Sequence, residues 1–303
     1  MSKSKSLMAK ICSVYYRWRG RRRFVRGDFA AAIAAFTEAI RLDPGVAAVY
    51  SARGRCHHEM GNHDEAIADV TEAIRLDPRD AVMYANRAWS YAVKGDHDLA
   101  AADVTEAIQL DPGSAENFCI RAFSSTETGD YHKAIADYTE AIRLDPKLSD
   151  AYRNRGKCYL AQFDCDNAIA SFTEAIRLDP NDAAAWFHRG LSAAAKHEYF
   201  QAIADFSHVI RLDLKDPGLD PNGANRYCLR GKCYAETGDH DKAIADFTEA
   251  MRLCPTDAVA CLNRARSHAE KGELAEAIAD FTGAMRLDRT MRMPTSVELF
   301  ATS

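Results

Sequence analysis

Apolar and polar positions along most of this chain follow helical spacing, in pairs of segments separated by a glycine break. Over residues 81–94, Tyr84, Ala88 and Tyr91 fall at i, i+4 and i+7 and form one apolar stripe, which predicts a helix. Gly95-Asp96 ends it. Glycine tolerates the positive φ of a helix C-terminus, and the aspartate carboxylate is expected to cap the amides of the next helix. The segment that follows carries Ala100, then the larger Val104 four residues on, then Ala107 after three more. It stops at Asp111-Pro112, because the residue before proline is pushed out of the α region.

The same two-helix pattern recurs at a fixed distance. TEAIRLDP stands verbatim at 37–44, 71–78, 139–146 and 173–180, with variants at 105–112, 207–214, 248–255 and 282–289, so the spacing is 34 residues six times and 41 once. A fixed period of this length signals one supersecondary unit repeated in tandem. Alanine occupies one second-helix place in every repeat (Ala32, Ala66, Ala100, Ala134, Ala168, Ala202, Ala243, Ala277), which predicts a close approach of the paired helices. A larger apolar side chain follows four residues later, from Phe36 to Phe281. Asp80, Ser114, Asp182 and Asp257 stand where the next first helix needs an N-cap. Repeat one is degenerate, with Arg23 where a tyrosine would pack, and is expected to dock loosely.

These residues resemble the tetratricopeptide repeat (TPR) family. Its pattern of a bulky aromatic, Leu-Gly, Tyr, Ala, Phe, Ala and Pro is matched by Tyr50, Tyr84, Phe118, Tyr152, Trp186 and Tyr227, by Gly54, Gly156, Gly190 and Gly231, and by prolines from Pro44 to Pro255. The resemblance implies an all-α fold, a right-handed superhelical solenoid of antiparallel helix pairs. Eight units are expected at 13–46, 47–80, 81–114, 115–148, 149–182, 183–216, 224–257 and 258–291. A basic segment at 1–12, an insertion at 217–223 and a short tail at 292–303 complete the chain. The sequence departs from the family where leucine usually precedes the glycine: Arg19, Arg53, Arg87, Arg121, Arg155, Arg189, Arg230 and Arg264 stand there. A structural ladder to Asp69, Asp103, Asp137, Asp205, Asp246 and Asp280 is the expected reading, with a ligand-binding file of arginines as the alternative.

The resemblance also implies a concave groove lined by first helices. Its partner-binding places carry Arg17 and Arg21, then Arg55, Asn86, Trp89 and Phe123, then Arg153, Asn154 and Lys157, and finally Phe187, Lys232, Asn263 and Arg266. Such a lining suits a peptide with apolar anchors and acidic flanks. The Lys/Asn set with which chaperone-binding members hold a terminal carboxylate is not found in consecutive repeats, which disfavours that ligand.

Charge divides the chain unevenly. The first 26 residues hold nine Lys or Arg and no acid, so 30 bases against 44 acids remain and residues 27–303 carry about −14. The basic head supports an alternative function, binding an anionic surface, either RNA or an acidic membrane, although the acidic body argues against a long nucleic-acid track. Arg21-Arg22-Arg23 resembles a twin-arginine export motif, but the apolar stretch after it contains Asp28 and belongs to the repeat register. No apolar run approaches the ~20 residues needed to cross a bilayer, and Leu7–Tyr16 lacks a cleavage site, so a soluble, cytoplasmic protein is expected.

Nine cysteines without a C-x-x-C pair fit a reducing compartment. Cys56, Cys158 and Cys233 share one repeat place, which predicts a small buried site. Gly-rich phosphate loops and HExxH, G-x-S-x-G or EF-hand patterns do not occur. His63, His97 and His240 recur beside the inter-helix turn, too far apart for a shared metal. No catalytic site, cofactor or metal is expected. The predicted function is a scaffold or adaptor for a protein or peptide partner, with self-association through the uncapped last repeat as a further expectation.

Overall fold

A computed structural model of the chain describes residues 3–215 and 223–288. Among these the only regular elements are sixteen α-helices: α1 (Lys3–Val25), α2 (Phe29–Leu42), α3 (Ala47–Glu59), α4 (His63–Leu76), α5 (Ala81–Lys94), α6 (His97–Leu110), α7 (Ala115–Glu127), α8 (Tyr131–Leu144), α9 (Ser149–Ala161), α10 (Cys165–Leu178), α11 (Ala183–Ala195), α12 (Tyr199–Lys215), α13 (Gly223–Glu236), α14 (His240–Leu253), α15 (Ala258–Glu270) and α16 (Leu274–Leu287). They fall into two compact units, residues 1–158 and 159–303. Within each, the helices pack as consecutive pairs, the all-α repeat architecture expected. The insertion at 217–223 (Gly223 apart) and the tail at 292–303 lie outside the described residues. So does the segment on which capping of the last helix, and any self-association through it, would depend.

The eight alanines from Ala32 to Ala277 are buried, and so are the eight larger side chains four residues on. Their packing leaves no room across the helix pair. A Cβ on Gly190 would lie 2.9 Å from Phe206, and one on Gly231 2.9 Å from Phe247, so glycine lets the aromatic ring sit against the partner backbone. The turn between paired helices is left-handed: Gly95 has φ 86°, as its sequence place predicts. In the second unit Phe163 (φ 60°) and His197 (φ 62°) occupy this same turn place without being glycine.

Caps follow the sequence in most repeats. Asp80 accepts from the Val82 amide, Ser114 from Asn117, Asp182 from Ala185, and Asp257 from Val259 and Ala260. Asp96 is a correction, because its side chain makes no cap hydrogen bond. It lies instead 3.9 Å from Lys94, whose ammonium also binds Asp64 of the preceding repeat at 2.5 Å, so a local cation competes for the carboxylate.

The arginine place forms the ladder. Arg53 donates from Nε and Nη2 to the two oxygens of Asp69 at 2.7 and 2.6 Å, and from Nη1 to Thr37 Oγ1 at 3.0 Å. Arg87 does the same with Asp103 and Thr71, Arg189 with Asp205 and Thr173, and Arg264 with Asp280 and Thr248. Arg230 reaches Asp246 and Ser207, and Arg121 reaches Asp137. Each complete set therefore joins three helices: the first and second of one repeat and the second of the repeat before. The threonine of TEAIRLDP has its role here. In Thr173 and Thr248 the hydroxyl donates to the carbonyl four residues back, which leaves oxygen lone pairs for the arginine. The guanidinium also lies over the ring three residues earlier, 4.8 Å from Trp186 for Arg189 and 5.5 Å from Phe118 for Arg121. The carboxylate hydrogen bonds hold Arg53, Arg87, Arg121, Arg230 and Arg264 above the usual arginine pKa.

Repeat one differs from the expected loose docking. Its first helix and the basic segment form a single helix of 23 residues, α1. Ser13 is buried and donates to the Ala39 carbonyl at 3.2 Å, and Gly20 lies flat against the Phe36 ring. Arg23, the supposed defect, pairs with Asp28 at 2.7 Å and closes the α1–α2 turn. Arg19 does not join the ladder in the same way, because Ala35 stands at the aspartate place.

Two stability predictions follow from these contacts. Asp205 is fully buried and the Arg189 side chain is only 12% exposed, so Asp205→Ala leaves a buried cation unpaired. The expected loss is ~3–5 kcal/mol in urea unfolding, and replacing both partners by apolar residues should restore much of it. Phe163 is 90% exposed in a left-handed conformation. Phe163→Gly should therefore raise stability by ~1 kcal/mol, read as a higher unfolding midpoint.

Candidate functional site

Because each repeat places its first helix beside the next, side chains 34 residues apart become neighbours. In the first unit α3, α5, α7 and α9 together enclose a cavity of about 630 Å³. Arg55, His58 and Glu59 line it from α3, and Asn86, Trp89 and Ser90 from α5. Asn117, Cys119 and Phe123 come from α7, and Asp150, Arg153 and Asn154 from α9. A smaller hollow of about 290 Å³ lies between α1, α3 and the start of α5, bounded by Arg21, Phe24, Ser51, Arg55, Met83 and Asn86.

The floor of the larger cavity is aromatic. Trp89 and Phe123 have ring centroids 5.7 Å apart and tilted, and His58 continues the row 6.3 Å from Trp89. His58 Nδ1 lies 3.0 Å from Ser90 Oγ, and its ring packs edge-on against His63 at 4.9 Å. Burial pushes the His58 pKa down, the nearby His63 adds to the shift, and Glu59 opposes it. A neutral imidazole extends the apolar floor. At the rim, the Arg55 guanidinium lies over Phe24 at 4.9 Å and Arg153 pairs with Asp150 at 2.6 Å. Asn86 Nδ2 donates to Ser51 Oγ at 3.4 Å and keeps its carbonyl for another donor.

Six of the residues assigned by resemblance (Arg55, Asn86, Trp89, Phe123, Arg153 and Asn154) line this one cavity, and Arg21 shares the smaller hollow with Arg55 and Asn86. Arg17 and Lys157 are half-buried on α1 and α9 and line neither. In the second unit Phe187 packs on the core 5.9 Å from Phe206, so much of its ring is already used. Lys232 and Arg266 are exposed and Asn263 is half-buried.

Sequence reasoning missed His58 and Asn117. Asn117 is buried at a place where Val49, Met83, Ala151 and Ala185 stand in other repeats, and that break in an apolar column was visible. It also missed the acids: Glu59, Asp111, Glu116 and Asp150 line the cavity, so its rim is of mixed charge rather than basic. The recurring histidines His63, His97 and His240 sit at the first residues of α4, α6 and α14 with Nδ1 buried. Among the described residues no group of three or more His, Cys, Asp or Glu could hold a metal ion, and no helix is long and apolar enough to cross a membrane.

Comparison with known proteins assigns the repeats. A family model described as "Tetratricopeptide repeat" matches residues 19–81, 59–115 and 228–291. Related models match 125–162, 149–182 and 181–256. None of the curated proteins matches the sequence. Among solved structures, the C-terminal part of a TPR repeat-containing protein from Cytophaga hutchinsonii is 18% identical with a TM-score of 0.67, over 82% of this chain and 98% of that one. YrrB, described as a TPR protein with an unusual peptide-binding site, is 23% identical with a TM-score of 0.56, over 67% and 97%. A chain of the APC/C hetero-tetramer Cut9-Hcn1 is 20% identical with a TM-score of 0.54; the match covers 91% of this chain but only 53% of that one. At these identities the likeness is one of fold.

All nine cysteines are unpaired, and Cys56, Cys158 and Cys233 are buried at their shared place. Burial pushes the Cys56, Cys119 and Cys233 thiols up to about 11. At pH 7.5 less than roughly one part in a thousand is thiolate, so these three should resist thiol reagents in the folded protein and label on unfolding. Their folded pKa exceeds the ordinary thiol value of about 9, so stability falls as pH rises through the window from 9 to about 11. Peptide mapping after labelling, and unfolding midpoints across that window, check both expectations; fast native labelling of Cys56 contradicts the packing.

Proposed function

The chain belongs to the tetratricopeptide repeat family, a fold of protein-interaction scaffolds, and we propose that it is a non-catalytic adaptor holding a segment of a partner protein in the groove of residues 1–158. The observation that carries this reading is the Trp89–Phe123 pair on the floor of the 630 Å³ cavity. Trp89 is 40% exposed although large aromatic surface is costly to leave in water. A bound apolar side chain would cover it, and Trp is the residue type most often responsible for binding energy at such a centre.

The polar groups fit an extended chain. Asn86 and Asn154 stand at equivalent places two repeats apart and both line the cavity, and each offers a donor and an acceptor to a peptide backbone. Arg55 and Arg153 favour carboxylates, while Glu59, Asp111, Glu116 and Asp150 favour cations. The suited ligand is an apolar anchor flanked by residues of both signs, a revision of the acidic flanks inferred from basic residues alone. A cytoplasmic site of action belongs to the same reading, supported by nine unpaired thiols.

Selection from a peptide library on the purified protein tests the groove. Enriched peptides should share one aliphatic or aromatic anchor, and Trp89→Ala with Phe123→Ala should weaken them about 30-fold or more at unchanged helicity. Peptides bound equally by parent and variant would remove the groove from the mechanism. Turnover of a substrate by the pure chain would overturn the non-catalytic reading.

A further inference from the structure

The outer face of α1 is unlike the corresponding face of any later first helix. Met8, Ile11, Tyr15 and Trp18 follow one another at spacings of three, four and three residues, so they form a single stripe along the helix. They are 63%, 57%, 54% and 56% exposed. Tyr15 and Trp18 stack with centroids 6.4 Å apart, and Arg22, the next residue of the same stripe, lies over Trp18 at 5.4 Å. Helical geometry puts Arg19 along one border of the stripe, and Lys10 and Arg21 on the other side beyond Val14. The opposite face, with Ser13, Tyr16, Gly20 and Phe24, is already occupied by α2 and α3.

Two occupants that would pack as protein are opposed by the residues themselves. The stripe stands where later repeats bury their first helix against the preceding repeat: Tyr15 corresponds to Val49, Trp18 to Ala52 and Arg22 to Cys56. The place of Arg22 is Cys or Ser in every other repeat, and all of those are buried, Cys56, Cys158 and Ser192 completely. Another repeat, or a second copy stacked in the manner of the array, would have to bury a guanidinium and two large rings in a slot sized for a thiol. A second copy laid helix to helix would set one acid-free basic helix against another.

We propose that α1 docks on the surface of an anionic lipid bilayer. Tyr and Trp rings sit at the headgroup level, the aliphatic side chains reach the acyl boundary, and flanking Lys and Arg stems extend to lipid phosphates. Charge complementarity selects that surface: α1 has no acid, whereas residues 27–303 carry about −14 and are repelled by it. A nucleic-acid backbone would use the cations but gain nothing from the apolar stripe between them. The stripe residues, Lys10, Arg19 and Arg22 line neither hollow, so adaptor and anchor can act together.

Vesicle flotation of the full chain is the test, with phosphatidylcholine vesicles containing or lacking phosphatidylglycerol. Flotation is expected only with the anionic vesicles, and it should fall steeply between low and physiological salt. Lys10→Glu with Arg19→Glu and Arg22→Glu should weaken it by about tenfold or more. These residues do not line the groove, so peptide selection remains intact if only this inference fails. Trp18 emission should be quenched by brominated lipid, with Trp18→Phe as the control. Equal binding to neutral vesicles, no flotation, retention by the charge-reversed variant, or absence of quenching overturns the proposal. So does a dimer in sedimentation that Trp18→Ala dissolves, or RNA binding that anionic vesicles do not displace.

Discussion

The arginine that replaces the family's leucine is the interaction around which the repeats are organised. A leucine at that place would fill the space between the paired helices by packing alone. The guanidinium instead has direction: a carboxylate in front of it, a hydroxyl of the neighbouring repeat at its side and an aromatic ring beneath. The bidentate geometry fixes the angle between the helices of one repeat, and the threonine contact fixes the position of the next. A network of this kind is costly to bury and confers geometry more surely than stability. That trade suits an array in which each repeat touches only its neighbours and small errors of angle accumulate.

Other features are subordinate to that geometry. With the helix angle fixed, alanine and glycine are required where backbones approach, and the aromatic or aliphatic knob is required to fill what remains. The cysteine and serine column follows from the same constraint. Its members are small because the preceding repeat lies against them, and their raised thiol pKa values report the same enclosure.

Most of this architecture was legible in the sequence because it repeats. Eight examples of each place separate a requirement from an accident, so the alanines, the arginine ladder and the glycine turns could be read without coordinates. The groove was less legible because function resides where repeats differ. Trp89 and Phe123 could be found by carrying over the family's geometry, since they occupy one place in adjacent repeats. His58 could not, because its equivalent in the next repeat is Ala92 and its significance lies in what converges on it from α5. The acids of the rim stand at helix ends, Glu116 and Asp150 in first turns and Glu59 and Asp111 at C-termini, where no repeated pattern marks them as groove residues. Asp96 failed as a cap for a related reason: propensity names a suitable residue, and a lysine two residues away decides where its charge goes.

Ala35 at the aspartate place of repeat one carries a consequence for dynamics. In an array coupled only through nearest neighbours, a repeat's opening is governed by its own bonds and one shared interface. The pair α1 and α2 has packing, the Arg23–Asp28 pair and the Ser13 hydrogen bond to hold it, but no buried carboxylate bridge of the kind that ties α3 to α4. Amide exchange should therefore be faster in α1 and α2 than in α3 and α4. Phe24 forms the support over which Arg55 lies, so excursions of α1 would also release that cation into the groove. Repeat one and the adjoining part of the binding surface would then breathe as a single cooperative unit.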